Sequence, residues 1–397
     1  MNNTKKIELL SPAGDLERLK LALLYGADAV YIGGQEYSLR ANATNFSIEE
    51  IKEACTFAHE RNKKVYLTAN IVFHNEDISG VEDYLRQVAN AGIDAFIVSD
   101  PFIIQYIRKN FPDVEVHVST QGSTTNVEAV NYWKGEGVKR VVLARELSME
   151  EIQTIIEKTG VDIEVFIHGA MCTFYSGRCT LSNYFTNRDS NRGGCSQVCR
   201  FAFDLESEDS QKFTMATKDL NLADQIENMI KIGVTSLKVE GRMRSHYYLA
   251  TVISSYRKLI DLCYQDKLTK EALEEEKKIL ARVANRETSS HYFTHQADET
   301  DQYYTGRQEL SNQDYLAYVL DYDQEKQMIT ISERNYFEPN TEVEIFMPSG
   351  KRISFTIDTI YDQELNPLEK ACHPEEILKI RVPEEVEANS MMRIKVN

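Results

Sequence analysis

Over the first 260 or so residues, short apolar runs rich in β-branched residues alternate with helix-length amphipathic stretches. The runs are Ile7–Leu10, Ala29–Ile32, Lys64–Thr68, Ala95–Val98, Val114–Ser119, Arg140–Leu143, Ile163–Ile167 and Ser236–Val239. Near-continuous apolar text of this length predicts parallel strands buried on both faces. The intervening stretches predict helices over Asp15–Tyr25, Ser47–Arg61, Val81–Ala91, Pro101–Lys109, Val127–Glu136, Ser148–Lys158, Asp219–Ile232 and Ser245–Tyr264. Their ends carry the usual punctuation. Ser47 stands three residues before Glu50 as a capping box, Pro101 opens a helix, and Gly92, Gly137, Gly160 and Gly233 close four others. Eight βα units in about 260 residues predict a (β/α)8 TIM-like barrel. An open doubly wound sheet fits less well, because no GxGxxG follows the first strand.

In such a barrel, chemistry gathers at the C-terminal ends of the strands. That rule makes His168 and Glu240 the candidate catalytic residues. Arg145, Lys238 and Arg242 are candidate anion holders, since guanidinium and ammonium groups recognise carboxylate and phosphate. Asn70 and Gln121 read either as substrate contacts or as filler of the barrel interior. The connection after strand seven is exceptional. About 50 residues separate Gly169 from the next predicted helix, where a few would do. This Cys-rich insertion holds Cys172, Cys179, Cys195 and Cys199 in the spacing Cys-x6-Cys-x15-Cys-x3-Cys. Four soft sulfur donors in a Gly-, Asn- and Arg-rich loop predict a metal centre. Without the two Cys-x2-Cys knuckles of a zinc ribbon, a [4Fe–4S] cluster is the expectation and zinc the alternative.

From Asp314 the text changes to short alternating segments, YLAYVLDYD, QMITISER, TEVEIFMPSGKRISFTIDTIYD, EILKIRVPE and NSMMRIKVN. MPSGK between two alternating runs is a hairpin signal. The expected organisation is a barrel over 1–265, a helix and linker over 266–313, and a small C-terminal all-β barrel domain over 314–397.

Charge adds one contrast. The chain of 397 residues carries a formal net charge of −17, so it is no general nucleic-acid coat. Yet between Cys172 and Phe203 stand Arg178, Arg188, Arg192 and Arg200 against Asp189 alone, whereas Asp301–Asn397 holds 10 basic and 19 acidic residues. Seven cysteines, no secretory leader pattern and no apolar run near the ~20 residues of a membrane span point to a reducing cytoplasm and to no membrane.

The segments LLSPAGDLERLKLALLYGADAVYIGG, EVFIHGAMCTFYSGRCTLSNY and SLKVEGRMRS resemble the peptidase U32 family. Glu164, His168, Gly169, Ala170, Cys172, Cys179, Leu181 and Ser182 match its signature. Cys195 and Cys199 fall where the tRNA-modifying branch places its second pair. In the quinone-hydroxylating branch the last ligand lies much further down the chain, where this sequence has no cysteine. The resemblance implies hydroxylation of wobble uridine in tRNA to 5-hydroxyuridine with prephenate as co-substrate, a [4Fe–4S] cluster on the four cysteines, and a paralogous U32 subunit as a possible partner. It also implies an alternative, a collagenase-like peptidase; a further alternative, of a different class, is a non-catalytic RNA-binding or assembly subunit with a structural metal site. Neither HExxH nor GxSxG occurs, which favours hydroxylation over proteolysis. On this reading Arg145, Lys238 and Arg242 hold carboxylates.

Overall fold

The computed structural model describes residues 6–39, 45–204, 212–284, 286–303 and 314–395. Part of the expected linker, 304–313, lies outside them. The eight expected strands form at Glu8–Pro12, Ala29–Gly33, Lys64–Ala69, Ala95–Val98, Glu115–Val118, Arg140–Val142, Asp162–Gly169 and Ser236–Val239. Each pairs in parallel with its sequence neighbour, and Ser236–Val239 pairs with both Glu8–Pro12 and Asp162–Gly169, which closes the barrel. The helix starts follow the cap chemistry. Ser47 and Glu50 form the reciprocal capping box of Ile48–His59, Ser148 and Glu151 repeat it for Met149–Thr159, and Asp100 caps Pro101–Asn110.

One element differs from expectation. The helix predicted over Asp219–Ile232 is confined to Ile226–Ile232, and Asp219–Asn221 is instead a short strand running antiparallel to His168–Gly169. The cause is Asp219 itself. Its two carboxylate oxygens accept from Arg286 and Arg244, each at 3.1 Å, which holds this stretch extended.

The barrel interior is charged at its centre. Glu164 is fully buried and accepts from Lys238 Nζ at 2.8 Å and Arg140 Nη1 at 2.9 Å. Arg140 also reaches Glu8 at 2.5 Å, and Glu8 takes the Tyr66 hydroxyl at 2.6 Å and the Ser236 hydroxyl at 2.9 Å. Strands one, three, six, seven and eight are thereby tied through side chains as well as through the ladder. Burial alone would raise the Glu164 carboxyl, but Lys238 and Arg140 overcome it and hold the group at about 2.

Contacts divide the chain into two units, Met1–Leu23 with Ala27–Arg244 and Arg286–Gln308, and Leu24–Gly26 with Ser245–Asn285 and Glu309–Asn397. The partition thus groups the helix His246–Tyr264, read from sequence as the last barrel helix, with the C-terminal sheet. Tyr247 stacks on Tyr315 at 4.6 Å, and Glu276 of the helix Lys270–Val283 takes both Arg352 nitrogens at 2.8 and 2.9 Å. The C-terminal domain is β-rich. Its eight strands pair antiparallel in one sheet that begins with Arg352–Thr356 and ends with Pro367–Leu368. The expected closed small barrel is therefore corrected to a sheet whose two outer strands do not pair with each other. The outer strand Pro367–Leu368 and its neighbour Ile360–Tyr361 are two residues each, too short to complete a closed ladder. The MPSGK hairpin forms as expected, with Met347 donating to Lys351 and Gly350 to Met347, both at 2.9 Å.

Glu164→Gln leaves two buried cations short of an anion and should cost about 3–5 kcal/mol, read as a lowered first thermal transition of the full chain. An unfolded glutamate takes its proton near 4.5 and folded Glu164 near 2. Its stabilisation is therefore complete above 4.5 and drains away as pH falls toward 2. Glu164→Gln should flatten that part of the stability–pH curve.

Candidate active site at the C-terminal mouth of the barrel

The long connection after the seventh strand folds back over the strand ends. It opens at Gly169, with φ +106°, where any Cβ would lie 2.6 Å from the Glu240 carbonyl oxygen. Arg145 Nη1 donates to the Ala170 carbonyl at 2.5 Å, and Thr217 donates to Met171 at 3.1 Å. Ser176 N donates to Glu146 at 2.9 Å. Gly177 packs so tightly on Gln121 that a Cβ would meet its carbonyl oxygen at 2.4 Å. Further on, Ser190 and Asn191 both donate to the Cys179 carbonyl, at 2.6 and 2.8 Å. Val72 N donates to Asn191 at 3.0 Å, and Arg192 pairs with Glu76 at 3.1 Å and with Asp77. The segment is thus pinned to the chain just after strands three, five and six.

Beneath it lie the expected site residues. Asn70 is buried, and its amide nitrogen donates to the Ser119 hydroxyl at 3.0 Å. Gln121 N donates to the same hydroxyl at 3.2 Å. The amide oxygens of Asn70 and Gln121, both shielded, have no hydrogen-bond donor among the described residues. Arg145 lies over the Phe166 ring at 3.9 Å, has no ion pair among the described residues, and leaves a buried Nε without an acceptor. A small cavity lined by Ala144, Arg145, Val165, Phe166, Leu220 and Phe293 adjoins it. Arg242 is buried with its guanidinium against the backbone of Gly33, where a Cβ would meet Nη1 at 1.8 Å.

Lys238 sits deeper. Its ammonium is paired with Glu164 and faces the Tyr31 and Phe166 rings at 4.4 and 5.3 Å. Burial lowers its pKa, while Glu164 counters that pull. Arg145 and Lys238 thus share one aromatic ring. Glu240 stands at the mouth, its backbone N donating to His168 O at 2.8 Å. His168 is buried, and desolvation with the nearby Arg244 charge depresses its imidazole to about 3. It is a neutral hydrogen-bonding group at physiological pH. The sequence reading missed the Glu8–Arg140–Glu164 network and the Asp219–Arg244–Arg286 cluster. Charged residues inside strand text, such as Glu164 within EVFI and Arg140 ahead of VVL, were the available signal.

The metal expectation is corrected. Among the described residues, the group of three or more possible ligands whose donor atoms all lie within 4.8 Å of one another is His295, Asp298 and Asp301. Cys172, Cys179, Cys195 and Cys199 do not form such a group, so the ligand set brought together is His–Asp–Asp and not the expected four-cysteine centre for a [4Fe–4S] cluster or zinc. Ser190 and Asn191 hold the Cys179 carbonyl, and Met215 N donates to the Cys199 carbonyl at 2.9 Å. All four are free thiols. Cys172 reaches solvent, yet protein packed around its sulfur raises it to about 11; Arg145 lowers it, and the other three cysteines raise it. The His–Asp–Asp trio is itself internally bonded. His295 Nε2 lies 3.0 Å from Asp301, and Asp298 N donates to Asp301 at 3.0 Å, closing a capped turn.

Family models match nearly the whole chain, Peptidase family U32 over residues 14–303 and Peptidase family U32 C-terminal domain over 311–393. The chain belongs to peptidase family U32. Among U32 relatives, it is 47% identical to tRNA hydroxylation protein P1 of Bacillus subtilis, over 98% of this chain and 95% of that one. It is 32% identical to tRNA hydroxylation protein P of Haemophilus influenzae, over 100% and 98%. A solved C-terminal domain of a Geobacillus thermoleovorans putative U32 peptidase is 37% identical, covers 20% of this chain and 96% of that one, and gives a TM-score of 0.20.

The His168 environment makes a direct prediction. Its imidazole resonances should stay flat from pH 8 to pH 5 in a histidine-labelled sample. Because the unfolded chain takes that proton near 6.5 and the folded one near 3, His168 costs stability as pH falls below 6.5.

Proposed function

We propose that this U32 chain is an enzyme that hydroxylates a nucleoside of tRNA. The observation that carries the reading is the likeness to tRNA hydroxylation protein P1, which runs along 98% of the chain and so includes both barrel and C-terminal sheet. The geometry of the mouth supports it. Two buried amide oxygens lacking donors, Asn70 and Gln121, can accept N–H or O–H groups of a ligand, and Arg145 can donate to a carbonyl or carboxylate. The charged core below is closed on itself by Glu164, which pairs with both Lys238 and Arg140. Hydroxylation of a base C–H with oxygen from water gives C–OH, two protons and two electrons, and a two-electron acceptor bound as a co-substrate must take the electrons. The chain's own residues bind, orient and shield the base.

The finer reading takes prephenate as a small dicarboxylate co-substrate, met by Arg145 and Arg242, and a paralogous U32 chain as a partner. A tRNA substrate places the work in the cytoplasm. No helix among the described residues is long and apolar enough to cross a membrane, which agrees with that setting.

Nucleosides from total tRNA of a strain lacking this gene, analysed by mass spectrometry, should lack a hydroxylated nucleoside that the restored gene returns. An Arg145→Ala gene should return roughly a tenth or less of it. An unchanged nucleoside profile in the deletion strain, with no second family member present, would overturn the assignment.

A further inference from the structure

We propose that the outer face of residues 172–203 is a stacking platform for unpaired nucleotides of an RNA loop. The proposal rests on the tRNA reading above and names the surface that holds such an RNA. Large apolar side chains are seldom left in water without a purpose when they crowd together. Here four exposed rings fall within 27 positions of one segment: Tyr175, Tyr184, Phe185 and Phe201 are 64%, 87%, 57% and 46% exposed. The other exposed apolar side chains are spread along the rest of the described chain.

Two of these rings stand on a braced helix. Tyr184 and Phe185 are on the helix Leu181–Thr186, which is tied to the following turn by Thr186 and Ser196 at 2.9 Å and by Ser196 N to Ser182 at 3.1 Å. Phe185 packs edge-on against Phe203 at 5.6 Å, and Phe203 against Phe213 at 5.8 Å. Rigid aromatic rings lose little entropy when a ligand stacks on them.

Charge selects the partner. The same segment carries Arg178, Arg188, Arg192 and Arg200 against Asp189 in a chain of net charge −17. Arg192 is spent on Glu76 and Asp77. Arg178 and Arg188 are exposed and have no ion pair among the described residues. An apolar protein surface laid over them would strand two guanidinium groups without partners, at a cost. A polyphosphate would pair them, while bases stack on the rings between them. A duplex hides its base faces, so the arrangement suits unpaired nucleotides.

The test uses the full chain and fluorescence anisotropy with two labelled RNAs, a stem-loop and the same stem as a blunt duplex. The stem-loop should bind more tightly than the duplex. Tyr184→Ala should weaken stem-loop binding roughly tenfold, Tyr184→Phe should restore it, and neither should alter the thermal transition. Arg178→Gln with Arg188→Gln should lessen the dependence of binding on salt by about 1.4 in log–log slope, two single-strand phosphate contacts. Equal binding of stem-loop and duplex, or unchanged affinity in Tyr184→Ala, would overturn the proposal. The two readings fail separately. Loop binding that depends on Tyr184, with no hydroxylated nucleoside in cells, upholds the platform and counts against hydroxylation. Normal nucleoside formation by Tyr184→Ala counts against the platform and leaves hydroxylation standing.

Discussion

The barrel depends on one buried carboxylate. Glu164 has no solvent exposure and lies between Lys238 of the eighth strand and Arg140 of the sixth. Buried charges are costly unless paired and hydrogen-bonded, and here each partner is answered by another. Arg140 turns to Glu8, and Glu8 collects Tyr66 and Ser236. The seam where the last strand meets the first is the place a barrel must close. One of these links crosses it: Ser236 donates to Glu8, and the two also face each other in the register.

That closure divides the interior by chemistry. In the lower layer the charges satisfy one another. In the upper layer, at the strand ends, polar groups are left over: the amide oxygens of Asn70 and Gln121 and Nε of Arg145. Lys238 links the layers, pairing below with Glu164 while its neighbour on the Phe166 ring, Arg145, reaches up to the segment that covers the mouth. A folded cover bearing arginines and exposed rings then gives an acidic protein a local means of meeting a polyanion. The relatives named for tRNA hydroxylation share this whole length of chain.

Much of this was legible in the sequence because it follows from periodicity. The eight apolar runs became the eight strands, two of them, Ala95–Val98 and Ser236–Val239, to the residue. Ser47 and Glu50 announced their capping box. What the sequence hid depends on three-dimensional pairing. Lys238 at a strand end looked like a substrate group, since nothing along the chain shows that Glu164 sits opposite it. Asp219 looked like a helix start until Arg244 and Arg286 were seen to hold it extended. Cysteine spacing suggested a shared ligand set, but spacing along the chain does not fix where the fold places four sulfurs. The alternation after Asp314 showed β structure and a hairpin, yet it did not show that two-residue strands end the sheet instead of closing it.

The central claim is that the covered mouth of the barrel is where this protein holds RNA. Photochemical cross-linking of tRNA carrying 4-thiouridine to the full chain, followed by mass-spectrometric mapping of the adducts, tests it most directly. Adducts on peptides within residues 172–203 are the predicted result. Adducts confined to the sheet of residues 315–394, with none on the mouth segment, would contradict it.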